Sequence, residues 1–423
     1  MQLLTRIADR AVLMNEGKKK LGPFLLSGLM IGPILGSGII ILPPLVYQVL
    51  GEWALPAWGV VVCISFFFAT LFGRLSLLFP GDAGVATAME HAFGQRVKRL
   101  SSLYLIGAVL FGPVAVLLTA GQYLERVAGL SAPLLGMFLL VLCVALLLRR
   151  VTSIGRVSLV LSTTVAATLF MGGMTTLLLH RKPMPGLPAF SASQFGYGML
   201  LLFWTVVGWE VVGSYSGEVK DPEITIPRAV LFSVCIMALV SLTVAAGVQM
   251  IDPALVHGQV SVADLLRPLF GPSCDLIMAV LVSALCLTSY LLFTGSVARL
   301  VSALAREGFL PGFMARRSRS NAPVTALLFL ALVHFATLIA VQMHYTDIQG
   351  LVALADGFFI ANALIGILAA CKLLPGLIMK GIALLLAAMC VAILVHATPW
   401  VLAVLAGLAV MMLVPAIRQP KRQ

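Results

Sequence analysis

Charge is what this sequence has least of. Only 10% of its 423 residues are charged and 61% are hydrophobic, whereas about a quarter of an ordinary soluble domain is charged. That deficit excludes a soluble globular chain. It leaves charge-free runs that recur from one end to the other, and roughly 20 helical residues suffice to cross a ~30 Å hydrocarbon core. Twelve such spans are read at 22–50, 53–79, 101–125, 131–149, 156–180, 194–217, 229–250, 270–300, 322–343, 348–371, 374–396 and 399–417. The expected fold is therefore an all-α polytopic membrane protein.

Other scarcities narrow the chemistry. The seven cysteines have no CxxC spacing and lie mostly within apolar runs, so neither a disulfide framework nor a metal site is expected and they read as packing residues. No HExxH, GxSxG or P-loop pattern occurs, and no catalytic constellation is present, so an enzyme is not expected. The six histidines are scattered, and only His334 sits well inside a span, where it reads as a packed, hydrogen-bonded residue. No polar connection exceeds about twenty residues, the longest being 80–100 and 303–322, so no inserted soluble domain is expected. The N-terminus lacks a small-residue cleavage site, and MQLLTRIADRAVLMNEG reads as a segment lying on the inner membrane surface.

The charges that are present are unevenly placed. With the N-terminus inside, only Arg126, Arg181, Lys182 and Arg267 of the 28 Lys and Arg fall outside. Both termini are thus expected in the cytoplasm. The net charge of +12 reflects topology and no nucleic-acid partner is implied. The expected division is a cytoplasmic segment 1–20, one membrane domain 21–417 and a cytoplasmic tail 418–423.

Two spans carry helix breakers in their middle. The first is interrupted by GPILGSG and the sixth by GWEVVGSYSG, which opens at Gly208. They stand five spans apart, an odd offset that reverses orientation. Two inverted repeats follow as an expectation, about 21–180 and 194–371, with two further helices over 374–417. Glycines that merely let helices pack closely are the alternative for either span taken alone. Unwound peptide groups in hydrocarbon are costly unless protein, water or a ligand satisfies them. Gly36, Ser37 and Gly38 would present amides suited to a carboxylate, at the start of a half-helix. Carbonyls near Ile34, Trp204 and Val207 would suit an ammonium group. Together they match the zwitterionic head of an α-amino acid, with Phe203, Trp204 and Trp209 walling an apolar side chain.

Several stretches bear a family resemblance. GSGIIILP, FPGDAGVATAMEHAFG at 79–94, FWTVVGWEVVGSYSGEVKDPEITIPRAV at 203–230 and SVARLVSALAREGFLPGF at 296–313 resemble signatures of the amino acid–polyamine–organocation transporter superfamily. ADGFFIANALIGILAACKLLPG at 355–376 is similar to its bacterial branch that exports methionine and branched-chain amino acids. The WxxxGxE pattern of span 6 also resembles the arginine/agmatine antiporter. The resemblance implies substrate contacts from Ile34, Trp204 and Val207 to the amino group and from Ser37 and Gly38 to the carboxylate, and a proton-sensing role for Glu210. Pro33 stands where the antiporter carries Asn and Phe293 where it carries Trp, which argues against a guanidinium substrate.

Glu210 and Asp356 are the carboxylates deepest in the spans, and ionisable groups at that depth are candidates for function by default. A structural hydrogen bond is the alternative for Glu210, and a solvated position near the outer end of span 10 for Asp356. Glu218, Lys220 and Asp221 read either as partners in an inner gate or as a solvated loop. Thr288 and Ser289 are conceivable sodium ligands, although hydroxyls in helices more often bond to the preceding turn. Span 5 lacks the lysine that serves some relatives as a substitute cation. The expected function is secondary active transport in the bacterial inner membrane: export or exchange of methionine, leucine, isoleucine or valine by alternating access, coupled to protons, with no other cofactor. A basic amino acid or amine exchanger and a non-transporting amino acid sensor are the alternatives; the apolar spans do not supply the polar lining of a channel.

Overall fold

A computed structural model describes residues 22–79, 84–149, 154–179, 186–209, 216, 219–251, 260–318 and 322–413. Fifteen α-helices are built from these residues: α1 Pro23–Leu35, α2 Gly38–Leu50, α3 Ala54–Leu78, α4 Gly84–Phe93, α5 Gln95–Ala128, α6 Ala132–Leu148, α7 Ile154–Leu179 and α8 Ala192–Leu202, followed by α9 Pro222–Met250, α10 Arg267–Phe270, α11 Cys274–Arg306, α12 Val324–Gln342, α13 Ile348–Leu373, α14 Leu377–Leu394 and α15 Pro399–Leu413. No strand pairs with another among them. Helix is what an apolar run must adopt in a bilayer, because each peptide group then finds its partner within the segment.

Eight helical stretches among the described residues are long and apolar enough to cross a bilayer, and α6 and α15 are shorter apolar helices of 17 and 15 residues. One of the eight runs α2 and α3 together through a tight turn at Gly51–Trp53. The first expected span is built as two half-helices, α1 and α2, of 13 residues each. The sixth is an 11-residue helix, α8, that gives way to turns.

The boundaries differ from expectation at several helices: α9 begins at Pro222 rather than 229, α11 runs to Arg306 rather than 300, and α5 starts early. The third span was expected from residue 101, yet α5 begins at Gln95 and runs unbroken for 34 residues. Residues 80–100, expected as a polar connection, hold the separate helix α4, which buries Ala88, Met89 and Ala92 against α13. Lys98 pairs with Glu90 at 2.6 Å, and Lys372 donates to the Ala92 carbonyl at 2.7 Å. These charges lie along the rim of the bundle, where α4 lays its apolar face on the core. At the other end of α5, Gly129 adopts a left-handed φ of 69° and its amide closes on the Glu125 carbonyl at 2.9 Å, a helix stop that a side chain would strain.

The core is built around α5 and α13. α5 packs on α11 and on α13, α3 on α9, α6 on α12, and α2 on α8. Four of those five pairs join helices that stand five spans apart in the sequence order. α1 lies between α7 and α9. α15 attaches at the periphery, where the Tyr104 hydroxyl of α5 donates to the Leu405 carbonyl at 2.9 Å.

Candidate functional site

The first break sits between Leu35 and Gly38, where Gly36 and Ser37 form a turn and all three residues Gly36, Ser37 and Gly38 are buried. Ser37 ends the turn, and its carbonyl accepts from the amides of Ile40 and Ile41, each at 3.1 Å. α2 therefore starts in mid-bundle, and the first turn of a helix leaves amides without partners from its own ladder. The positive end of its dipole lies in the same place.

The second break is a stepwise loosening. α8 starts on Ser191, whose side chain accepts from Gln194, and ends at Leu202. It tightens to a single narrow turn at Phe203–Thr205, after which residues 206–209 form turns. The Phe203 carbonyl takes the amides of both Val206 and Val207, at 2.8 and 3.3 Å. Gly208 follows with a φ of 112°, a conformation open to glycine and costly for any other residue. Glu210 and Glu218 lie outside the described residues, as do residues 1–21 and 414–423.

Trp204 joins the two breaks. A methyl group on Gly38 would lie 3.1 Å from Cδ1 of its indole, so α2 approaches the ring closely only because residue 38 has no side chain. On the opposite edge a methyl on Gly112 of α5 would meet Cη2 at 3.2 Å. The Phe359 ring of α13 stands edge-on to the indole at 6.2 Å. The Trp204 main-chain N–H leaves the helical ladder and donates to Oδ2 of Asp356 at 3.2 Å. Asp356 is wholly buried, so its expected alternative of a solvated position at the outer end of α13 is corrected. Its Oδ1 has no hydrogen-bond partner among the described residues, and no cation pairs with it there.

The other expected residues divide. Val207 is buried beside the break, but Phe203 turns its ring toward Phe68 of α3 at 6.3 Å and belongs to the core packing there. Trp209 is fully buried, and its indole N–H is without a partner among the described residues. Thr288 donates back to the Leu285 carbonyl at 2.8 Å, the bond to the preceding turn that was its alternative, and this bond leaves the oxygen lone pairs open. Among the described residues no cluster of His, Cys, Asp and Glu could hold a metal ion. Lys220 and Asp221 are exposed and enter no ion pair among those residues, so there the solvated reading holds. Gly112, Ala355 and Phe359 complete the surroundings of Trp204 and were not foreseen. The Gly112–Pro113 pair, a third helix breaker inside a span, was the one available signal.

Two broken helices meeting at a buried indole and a buried carboxylate coincide with a family match across nearly the whole chain: the model described as amino acid permease covers residues 21–418. The chain belongs to the amino acid permease family. It is 26% identical over 372 residues to the L-methionine/branched-chain amino acid exporter YjeH of Escherichia coli, covering 86% of this chain and 88% of that one. Similarity at 26% extends over 82% of the chain to 84% of the uncharacterized amino acid permease YecA of Bacillus subtilis. The putrescine transporter PotE of E. coli is 23% identical over 76% of each chain. The permease is a multi-pass membrane transport protein and not an enzyme, as its family and relatives are.

In this permease a cavity of about 570 Å³ lies on the side of the site away from the basic loops, lined in part by Ile40, Ile41, Gln122, Tyr123, Glu125 and Asp347. Neither Ser37 nor Trp204 reaches it. The indole itself lies between Gly38 and Gly112, close to both. Beside the cavity, Arg126 reaches Ser261 at 3.2 Å and Asp275 at 3.7 Å, while Arg267 bridges Asp264 and Asp275 at 2.9 and 3.3 Å. This chain of alternating charges ties the end of α5 to the connection between α9 and α11.

Proposed function

We propose that the permease is a proton-coupled exporter or exchanger of neutral apolar amino acids, methionine and the branched-chain residues foremost. The zwitterion sits between the two breaks: its carboxylate on the amides at Gly36, Ser37 and Gly38, its ammonium on carbonyls near Ile34, Trp204 and Val207. Trp204 closes over it from the outer side, and its apolar side chain lies against the indole. The observation that carries this reading is the meeting of the two broken helices at Trp204, with Asp356 receiving the amide that the break releases. Asp356 binds and releases the coupling proton, with Glu210 as a second carboxylate on the same broken span. The two five-span halves act as inverted repeats that rock against one another, and both termini face the cytoplasm of a bacterial inner membrane.

The similarity to YjeH supports this substrate class. A second reading rests on the vacant oxygen of Asp356, which would suit the distal ammonium of a basic amino acid or amine, and the similarity to PotE favours it. Counterflow in proteoliposomes with labelled methionine, leucine and arginine, run with and without a pH gradient, separates the two. Methionine and leucine should exchange and respond to the gradient. Exchange of arginine alone overturns the neutral-substrate reading, and binding of amino acids without flux of any of them overturns transport.

A further inference from the structure

Away from the central site, α3 and α9 run together toward the end of the bundle that carries the basic loops, and a groove opens between them. Phe66, Thr70, Gly73 and Leu77 form one stripe along α3, facing Val230 and Leu231 of α9 across a cavity of about 210 Å³. The groove faces outward: Phe66 is 40% and Leu231 54% exposed, at a depth where the surroundings are hydrocarbon. It is apolar along its length, because the Thr70 hydroxyl is folded back onto the Phe66 carbonyl at 2.8 Å and leaves its methyl outward. The floor is formed where the helices come closest, with Gly73 so near α9 that a methyl there would lie 3.2 Å from Val230.

At its basic end the groove widens into a second cavity of about 860 Å³, and Arg74 and Leu77 line both. Arg74 is exposed and makes no ion pair or hydrogen bond among the described residues. Across from it stand Asp221, just before α9, and Glu223 in its first turn, also exposed and likewise outside any ion pair among those residues. Pro227 lines both cavities too and has no N–H, so the Glu223 carbonyl four residues earlier lacks its donor within the helix. The groove thus ends in one cation on α3 and, opposite it, two carboxylates and a main-chain acceptor at the start of α9.

We propose that this groove is a binding site for a zwitterionic aminophospholipid, with one acyl chain along the α3/α9 stripe, the phosphate on Arg74 and the primary ammonium on Asp221 and Glu223. An arginine guanidinium holds a phosphate through paired N–H donors, and basic positions between spans at the inner surface are where headgroups dock. A purely anionic lipid would meet the two carboxylates unfavourably. A quaternary choline headgroup would lack the N–H donors that the Glu223 carbonyl and the carboxylates can accept. α3 and α9 each also pack on other parts of the bundle, α9 on α1 and α3 on the turn at residues 203–205, so the lipid lies one helix away from the broken segments.

Lipid retention by the purified full chain tests the proposal independently of transport. The protein is delipidated, offered phosphatidylethanolamine, phosphatidylcholine or phosphatidylglycerol in mixed micelles, and the retained lipids are counted by native mass spectrometry. Phosphatidylethanolamine should be retained about tenfold more strongly than either competitor. Arg74→Gln should lower retention of all three lipids, since each carries a phosphate, Asp221→Asn with Glu223→Gln should remove the preference over phosphatidylcholine, and Thr70→Trp, which fills the groove and leaves the charges in place, should also lower retention of all three. Glycerophosphoethanolamine, which has the headgroup without chains, should not compete. Equal retention of the three lipids by the wild-type chain, a preference that survives Asp221→Asn with Glu223→Gln, or retention unchanged by both Arg74→Gln and Thr70→Trp, in variants with unchanged thermal unfolding, overturns the proposal. A dimer that these substitutions break with no change in lipid count overturns it also, since the groove would then be an interface between copies of the chain.

Discussion

His334 of α12 donates its Nε2–H to the main-chain carbonyl of Val109 in α5, at 2.8 Å. That carbonyl is the one Pro113 orphans, because residue 113 has no N–H to return to residue 109. Nδ1 then accepts from the Tyr290 hydroxyl of α11, at 2.8 Å. A proline in the longest helix, a histidine on the ninth span and a tyrosine between them in sequence thus close one buried hydrogen-bond chain across three helices. His334 is the packed, bonded residue that its position in an apolar span suggested, and its partner is a defect in the neighbouring helix.

Replacing His334 with Phe should cost about 1–3 kcal/mol, since it leaves a buried carbonyl and a buried hydroxyl unpaired. In a Pro113→Ala background the helix regains its own N–H donor, and the same replacement should cost less. Thermal unfolding of the four proteins in detergent forms a double-mutant cycle. Additive effects would mean that the Pro113 gap is not what His334 serves.

Asp356→Asn keeps an oxygen that can accept from the Trp204 amide but removes the group that takes a proton. Gradient-independent counterflow of methionine should remain within about threefold of wild type, while the stimulation by a pH gradient disappears. Asp356→Leu leaves the Trp204 amide unpaired as well, and should lower stability by about 1–3 kcal/mol. A pH response preserved in the Asn variant would take Asp356 out of the coupling step.

Gly38→Ala and Gly112→Val each push a side chain into the space of the Trp204 indole from opposite sides. Substrate affinity should fall about tenfold or more in either variant, corresponding to ~1.4 kcal/mol. Both effects should shrink when Trp204 is replaced by Leu, which frees that space. Scintillation-proximity binding of labelled methionine reads this directly, and persistence of the full effect without the indole would contradict the packing argument.

The charge network of Arg126, Asp264, Arg267 and Asp275 should contribute less than its four charged members suggest. Arg126, Arg267 and Asp275 are between 30% and 49% exposed, so removing either arginine should change stability by only about 0–1 kcal/mol, and less at high salt. Asp264 differs because it is buried and caps the turn at Val262–Leu265 through the Ser261 amide, at 2.8 Å. Asp264→Ala should therefore cost about 0.5–2 kcal/mol. Unfolding midpoints at low and high ionic strength distinguish the two classes.

The sequence by itself determined that the chain is helical and crosses a membrane many times. It determined too that the first and sixth spans break at Gly36–Ser37 and near Gly208, because scarcity of charge and the placement of glycine and proline act locally. It also singled out Asp356, while leaving its burial or solvation open. Only the tertiary structure decided that Trp204 meets Gly38 at the first break, that Asp356 receives the Trp204 amide, that Gly112 and Phe359 frame the ring, and that His334 answers Pro113. Those relations join residues up to 247 positions apart, as Gly112 and Phe359 are. Spans whose faces are nearly all apolar carry no periodic signal of which side turns inward. In hydrocarbon that choice is made by close packing and by the need to satisfy each stray polar group, both of which exist only once the helices are together.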